Sequence, residues 1–273
     1  MSGAIAILGG GSMGGAIAAG ALSAGTTVRM TTRSAARAAA VAPRDGLSVA
    51  GVEDDPRANS VAVREAAIVV IAVKPPGVLA LLDEIAADLP AGAAVVSVAA
   101  GVPIRAMAAR LQDGTAVLRA MPNTPAAIGA GVTGLAAGPS VSRAAADSVR
   151  DLFRTTGTVI ELPEERIDAL SAISGSGPAY VYYFVEQLLG AAERLGFSPE
   201  QSRQMVLGTV RGSVRLLDET GDGPAELRRR VTSPGGTTER AVAVFAERDL
   251  GGIVDDAFAA AIARSAELAR VAG

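Results

Sequence analysis

Residues 4–14 read AIAILGGGSMG, an apolar run that leads directly into a glycine-rich turn. Such a run is typical of a strand that is buried on both faces of a parallel sheet. Gly9, Gly11 and Gly14 fit the G-x-G-x-x-G spacing, which permits a tight turn, backbone approach to a pyrophosphate and close helix packing. Alanine-rich residues 12–24 predict the following helix, whose N-terminal amides favour phosphate. We therefore expect a dinucleotide site; the alternative is a glycine-rich turn without a ligand.

The second predicted strand, residues 27–32, bears on the choice of dinucleotide. A site that prefers NAD places Asp or Glu near the end of this strand to bond the ribose 2′-hydroxyl. Here Thr31 and Thr32 lead into Arg33 and Ser34, and no carboxylate stands in this stretch to repel a 2′-phosphate. Arg33 can pair with that phosphate and Ser34 can donate a hydrogen bond. The sequence predicts NADP(H), with Ser34 also able to cap a helix at 35–42.

Composition excludes several classes of function. The 273 residues are 49% hydrophobic, and the net charge of −3 argues against a nucleic-acid surface and suggests no membrane-binding face. Apolar runs such as 66–73 are shorter than the roughly 18 residues of a membrane span, and no signal-type segment opens the chain, so we expect a cytoplasmic protein. The absence of Cys and His excludes thiol nucleophiles, disulfides, the usual zinc sites and Ser-His-Asp triads. We expect no bound metal.

The rest of the chain divides into an α/β part and a helical part. Predicted strands and helices alternate up to residue 162, which is typical of a doubly wound sheet. The strands are at 67–73, 93–98, 116–121, 132–136 and 159–162, the helices at 78–89 and 143–156, and 43–56 is expected to be irregular. From residue 164 onward only helices are predicted, with Ser198 as an N-cap and Pro199 at the first helical position. We predict domains at 1–163 and 164–273.

Two rare residue types mark candidate contacts in the α/β part. Lys74 is the only lysine in the sequence, and it follows the strand at 67–73, at the sheet edge where ligands bind. Because all the other cationic side chains of the sequence are Arg, this Lys suggests a site that a guanidinium does not fit. The alternative is that the Lys is present by chance. Asn59 precedes a short predicted helix at 60–65, which favours an N-cap role. Its position also suits a contact to the adenosine ribose.

The loop Ser233–Thr238, SPGGTT, is the strongest candidate for binding a substrate. Its adjacent glycines expose backbone amides ahead of a predicted helix, an arrangement suited to a carboxylate. Its threonines add hydroxyl groups. A capped turn is an equally good explanation of the same residues, because Pro-Gly favours turns and Thr is a common N-cap.

These stretches together resemble the pyrroline-5-carboxylate reductase family. The resemblance covers nearly the whole chain and rests on six segments: 9–14 GGGSMG, 72–75 AVKP, 99–102 AAGV, 119–125 RAMPNTP, 174–180 SGSGPAY and 233–238 SPGGTT. It implies an N-terminal Rossmann-type doubly wound sheet plus a C-terminal all-α dimerisation domain. It further implies homodimers that interlock through their C-terminal helices and often assemble into decamers.

The same resemblance implies an activity and a set of site residues. The expected reaction is NADPH-dependent reduction of 1-pyrroline-5-carboxylate to L-proline, the last step of proline biosynthesis, with NADH as a weaker alternative. The expected catalytic residues are Thr238, which would contact the ring nitrogen, and Lys74, which would fix the nicotinamide. Expected substrate contacts are Ser233, Gly235, Gly236, Thr237 and Thr238. Expected cofactor contacts are Gly9, Gly11, Ser12, Met13, Gly14, Arg33, Ser34, Asn59, Ala72, Val73, Lys74, Pro75, Ala99, Ala100 and Gly101.

Some alternatives stay open from the sequence. Residues 174–180 either approach the substrate or form a Gly-Pro joint that begins a dimer helix, and we favour the joint with partial site contact. Tyr180, Tyr182 and Tyr183 fit helix packing better than cofactor binding. Rival functions are reduction of another cyclic imine or a related 2-oxo acid, and a non-catalytic NADP-binding sensor. The intact SPGGTT loop argues against the sensor.

Overall fold

One eight-stranded sheet organises the first part of the chain. The computed structural model describes residues 3–272, with side chains up to residue 267. The strands are β1 (Ala4–Leu8), β2 (Val28–Thr32), β3 (Leu47–Gly51), β4 (Ala66–Ile71), β5 (Ala94–Ser97), β6 (Ala116–Met121), β7 (Gly131–Ala137) and β8 (Gly157–Glu161). Their order is β3-β2-β1-β4-β5-β6-β7-β8, and every neighbouring pair is parallel except β6 and β7. This is the predicted doubly wound arrangement.

Helices connect the strands and then make up the second part of the chain. They are α1 (Ser12–Ser23), α2 (Ala35–Ala39), α3 (Ala58–Val63), α4 (Val78–Ile85), α5 (Ile104–Ala108), α6 (Arg143–Arg154), α7 (Ile167–Leu170), α8 (Gly177–Arg194), α9 (Pro199–Thr220), α10 (Pro224–Arg230), α11 (Thr237–Glu247) and α12 (Leu250–Ala272). Short 3-10 segments lie at Pro75–Gly77, Ala86–Asp88, Thr124–Ile128 and Glu164–Arg166, and a π-helical turn at Ser171–Gly175.

The core lies on both faces of the sheet. Successive residues of a strand enter two separate apolar clusters: Leu8 of β1 and Ile71 of β4 belong to one, while Ile7 and Val70 belong to the other. All four are fully buried. The continuous apolar strands in the sequence follow from this burial, because a parallel strand covered by helices on both faces has no solvent side.

Several local predictions were wrong. Residues 43–56 are not wholly irregular, because β3 lies within them and pairs in register with β2. The helix at 35–42 ends earlier, at Ala39, and the helix at 78–89 is α-helical only to Ile85. The expected joint at 174–180 does begin a helix, since α8 starts at Gly177, but its first residues belong to a π-helical turn and not to a loop.

The chain forms two compact units. One holds the residues up to Pro178 together with those from Ala260 onward, and the other holds Ala179–Ala259. The second unit consists of helices, as expected. The predicted N-cap Ser198 accepts from the Gln201 backbone amide at 3.2 Å, and the Gln201 side chain accepts from the Ser198 amide at 2.9 Å, which completes a capping box at the start of α9. The domain boundary at residue 163 stays a prediction. Among the described residues, no helix is long and apolar enough to span a membrane.

Candidate functional site

The carboxyl ends of the parallel strands gather the predicted cofactor residues at one edge of the sheet. β1 lies between β2 and β4, and β5 follows on the far side of β4. The segments that continue these strands are Gly9–Gly14, Arg33–Ser34, Ala72–Pro75 and Ala99–Gly101. The connection after β1 leads to β2 on one side, and the connection after β4 leads to β5 on the other side. The gap between β1 and β4 is therefore the topological switch point, where ligands of such sheets bind.

The glycine turn has the geometry that a dinucleotide requires. Gly9 has a φ of +115°, and a Cβ there would lie 2.6 Å from the carbonyl oxygen of Ala72. A Cβ on Gly14 would overlap the Gly9 carbonyl oxygen, so α1 packs directly on the turn. A Cβ on Gly11 would meet nothing within 4 Å, which leaves open space in front of the backbone there. The turn therefore fits a pyrophosphate group, with Ser12 and Met13 in the first turn of α1.

The segment after β2 differs from its prediction in one respect. Ser34 occupies the N-cap position of α2, but its side chain makes no capping hydrogen bond. The Ala35 amide donates instead to Asp54 Oδ2, at 2.6 Å. The stretch 31–34 itself carries no carboxylate, as the sequence shows, but the turn after β3 places the carboxylate of Asp54 against Ala35. Arg33 is exposed beside it.

Asn59 has a structural role that the sequence did not predict. It lies inside α3, whose N-cap is Arg57, so the N-cap interpretation was wrong. Its side chain is 8% exposed, accepts a hydrogen bond from Thr31 Oγ1 at 2.7 Å and donates to Glu84 Oε1 at 3.1 Å. Asn59 thereby joins the end of β2 to α3 and α4. Its contact with the cofactor stays a prediction.

Lys74 and residues 99–101 lie where the sequence predicted. Lys74 is exposed and begins the 3-10 turn Pro75–Gly77, directly after the end of β4. Beside it, buried Ser97 accepts a hydrogen bond from the Ala99 amide at 3.2 Å, and Gly101 adopts a φ of +76°. These contacts fix the backbone at the end of β5. A cationic side chain therefore stands at the switch-point edge, next to the backbone that follows β5.

Two buried polar residues in the 119–125 motif anchor the structure behind this edge. Asn123 accepts from the Val132 amide at 2.8 Å and donates to the Ser174 carbonyl at 2.9 Å, which ties β6 to the π-helical turn. Arg119 is 5% exposed and pairs with Asp168 at 2.9 Å and with Glu164 at 3.8 Å. The sequence alone predicted no role for these two residues. A lone Arg in an apolar strand was the signal that could have identified a buried ion pair.

The predicted substrate loop lies in the other unit, and its two threonines extend into α11. Gly236 is the N-cap of α11, so Thr237 and Thr238 occupy its first turn and not a loop. Gly235 has a φ of +71°, and its amide donates to Glu239 Oε2 at 2.8 Å. Thr238 is half-buried and Ser233 is exposed. Both glycine amides of the turn are bonded within the chain, since the Gly235 amide contacts Glu239 and the Gly236 amide donates to the Ser233 carbonyl at 3.0 Å.

The structure brings the cofactor residues together within the first unit, while the substrate residues form a separate turn in the second. The roles of all these residues stay predictions. Among the described residues, no group of three or more His, Cys, Asp or Glu could hold a metal ion.

Comparisons with known proteins agree with this arrangement. Residues 164–268 match the family model described as pyrroline-5-carboxylate reductase dimerisation, and residues 4–101 match that described as NADP oxidoreductase coenzyme F420-dependent. The chain is 40% identical over 216 residues to a pyrroline-5-carboxylate reductase of Pseudomonas aeruginosa, covering 79% of each chain. It is 36% identical to one from Corynebacterium melassecola, covering 97% of this chain and 98% of that protein.

Solved structures give the same result. A pyrroline-5-carboxylate reductase from Coxiella burnetii superposes with a TM-score of 0.89 and 33% identity, over 98% of this chain and 99% of that one. The Plasmodium falciparum pyrroline carboxylate reductase with NADP bound gives 0.83 and 27%, over 97% of each chain. These matches extend across both the sheet and the helices. The chain therefore belongs to the pyrroline-5-carboxylate reductase family.

Proposed function

We propose that this chain reduces 1-pyrroline-5-carboxylate to L-proline with NADPH, the last step of proline biosynthesis. The observation that carries the proposal is the similarity over 97% of the chain to a reductase of that name, which includes both the strand edge and the SPGGTT turn. The relative solved with NADP supports the choice of cofactor, as does the exposed Arg33 after β2.

The residues of the strand edge would hold the cofactor. Amides at the start of α1 would bind the pyrophosphate, since the first turn of a helix has unpaired N–H groups. Arg33 and Ser34 would contact the 2′-phosphate, and Lys74 with residues 99–101 would position the nicotinamide. When bound, NADPH supplies the hydride that the imine carbon accepts.

The SPGGTT turn would hold the substrate. Its amides and the hydroxyls of Ser233 and Thr237 would bind the carboxylate, while Thr238 would orient the ring nitrogen. A protonated imine is already electrophilic, so reduction of its C=N bond to a C–N bond requires no strong acid from the protein. Orientation is then the main contribution of these side chains, and this suits a chain without histidine.

We further propose a cytoplasmic homodimer that associates through the C-terminal helices, with dimers assembling into decamers. The family model for dimerisation spans these helices. Large apolar side chains on α8 are also uncovered: Val181, Tyr182, Tyr183 and Phe184 are between 47% and 65% exposed. Several large apolar side chains exposed on one helix are typical of a protein interface. Mass photometry at several concentrations distinguishes dimer from decamer, and a chain that stays monomeric would contradict the proposal.

The reaction is tested with purified protein, by following NADPH absorbance with 1-pyrroline-5-carboxylate, a panel of other cyclic imines and 2-oxo acids. We expect 1-pyrroline-5-carboxylate to have the highest kcat/KM and L-proline to be the product. A higher value for another imine or an oxo acid would reassign the substrate. NADPH binding without any turnover would favour a sensor.

A further inference from the structure

Asp54 lies beside the residues predicted to contact the 2′-phosphate. Beyond the paired strands, the Val52 amide donates to the Thr32 carbonyl at 2.9 Å and the Glu53 amide donates to the Arg33 carbonyl at 3.0 Å. The backbone after β3 therefore runs alongside the backbone after β2. This brings the Asp54 carboxylate to the Ala35 amide, directly after Arg33 and Ser34 in the chain.

The position of this carboxylate is fixed by close backbone packing. A Cβ on Gly51 would lie 2.5 Å from the Ala35 nitrogen and 2.8 Å from Asp54 Oδ2. Only a glycine leaves room for the contact between this turn and Ala35. The carboxylate is therefore held at the sheet edge by the fold of residues 51–54, although its side chain is exposed.

A carboxylate at this point distinguishes the two nicotinamide cofactors. A phosphate monoester carries about two negative charges near neutral pH and has acceptor oxygens only. The phosphate is repelled by the negative charge of Asp54. The ribose 2′-hydroxyl of NADH can donate a hydrogen bond to a carboxylate. Arg33 favours the phosphate by its positive charge, so the two side chains act in opposite directions.

We propose that Asp54 is a specificity-determining residue that reduces the preference of this site for NADPH over NADH. The inference rests on the proposed function, because it places the adenosine end of the cofactor at Arg33 and Ser34. It predicts that the wild-type chain uses NADH measurably, and that removing the charge of Asp54 makes the chain more selective for NADPH.

The test compares Asp54→Asn with the control Asp55→Asn. Asparagine keeps an acceptor oxygen for the Ala35 amide and removes the charge. Asp55 is the next residue in the chain, and its carboxylate accepts a hydrogen bond from the Arg57 amide at 2.9 Å. Asp55→Asn therefore also removes one negative charge, but from a side chain bonded to Arg57 and not to Ala35. Dissociation constants for NADPH and NADH are measured by titration without substrate, and KM values are measured with 1-pyrroline-5-carboxylate.

We expect Asp54→Asn to bind NADPH about threefold to tenfold more tightly and NADH no more tightly than wild type. Asp55→Asn should change the ratio of the NADH and NADPH dissociation constants by less than half as much as Asp54→Asn does. An unchanged ratio in Asp54→Asn, or the same change in both variants, would overturn the inference. Absence of turnover with 1-pyrroline-5-carboxylate would instead overturn the proposed reaction, and the titrations would still test Asp54.

Discussion

Arg119 donates from Nη2 to Oδ1 of Asp168 at 2.9 Å, across 49 residues of sequence. The pair joins β6 to α7, and the Ser265 hydroxyl on α12 also donates to Asp168, at 3.2 Å. Arg119 also lies near Glu164, whose carboxylate accepts from the Ile104 amide at 2.7 Å. One buried guanidinium therefore links the sheet to the segments that begin and end the helical part of the chain.

Replacing Arg119 should destabilise the protein. Arg119→Met leaves Asp168 and Glu164 without their cation in a partly buried position, which we expect to lower the free energy of unfolding by about 2 kcal/mol. The control is Arg143→Met, because that side chain is 91% exposed and its partner Asp147 is 3.7 Å away. Its loss should cost at most about 0.5 kcal/mol. Equal unfolding midpoints in urea for the two variants would contradict the structural role of Arg119.

Two neighbouring glycines of α1 should respond oppositely to alanine. In Gly14→Ala the new methyl group would overlap the Gly9 carbonyl oxygen, so the helix must move away from the turn. We expect a loss of about 2 kcal/mol in stability and weaker NADPH binding. In Gly15→Ala the methyl group meets nothing within 4 Å, and helix propensity should raise stability by up to about 1 kcal/mol. Thermal unfolding and NADPH titration of both variants check this, and similar behaviour would contradict the packing of α1 on the turn.

Thr238→Ala tests the proposed orientation of the ring nitrogen. Loss of the hydroxyl should lower kcat by about tenfold to a hundredfold, because a misplaced imine reacts slowly, while the KM for NADPH stays unchanged. Thr238→Ser keeps the hydroxyl and should retain most of the turnover. Steady-state kinetics with varied 1-pyrroline-5-carboxylate and NADPH measure kcat and both KM values. Unchanged turnover in Thr238→Ala would remove this residue from the mechanism.

Glu239 contacts the same turn and should oppose substrate binding. Its carboxylate accepts from the Gly235 amide, which the substrate carboxylate would otherwise use. Glu239→Gln removes the charge, so we expect the KM for 1-pyrroline-5-carboxylate to fall about threefold. Glu247→Gln, at the other end of α11, is the control and should leave KM unchanged. A higher KM in Glu239→Gln would show that Glu239 holds the turn in its binding shape.

The ion pairs of α10, just before this turn, should make stability depend on pH. Hydrogen bonds from Arg229 and then Arg230 hold the pKa of Glu226 below its ordinary value of 4.5. A lowered pKa in the folded state means that the contribution of Glu226 is fully present above pH 4.5. It is lost as pH falls through the lowered value. The stability difference between wild type and Glu226→Gln should vanish at acid pH; a difference that grows there would contradict this sign.

The sequence predicted the sheet well because its central strands are continuous apolar runs that end in recognisable turns. It missed β3, since Leu47–Gly51 lies at the edge of the sheet, is only partly buried and is framed by polar residues. It also missed the place of Asp54, which depends on the pairing of β3 with β2 and leaves no local pattern. The sequence predicted no role for Arg119 and Asn123, because their bonds to Asp168 and Ser174 span 49 and 51 residues. The SPGGTT turn was predicted to bind an anion and that role stays a prediction, but its internal contact with Glu239 required coordinates.

A crystal structure with NADP and L-proline bound is the most direct test of the proposed reaction. We predict that the proline carboxylate lies on the amides of residues 233–238, with its C5 atom facing the nicotinamide held by the sheet edge of either subunit. A proline carboxylate bound away from this turn, or a nicotinamide too far from C5 for direct transfer, would contradict the proposal.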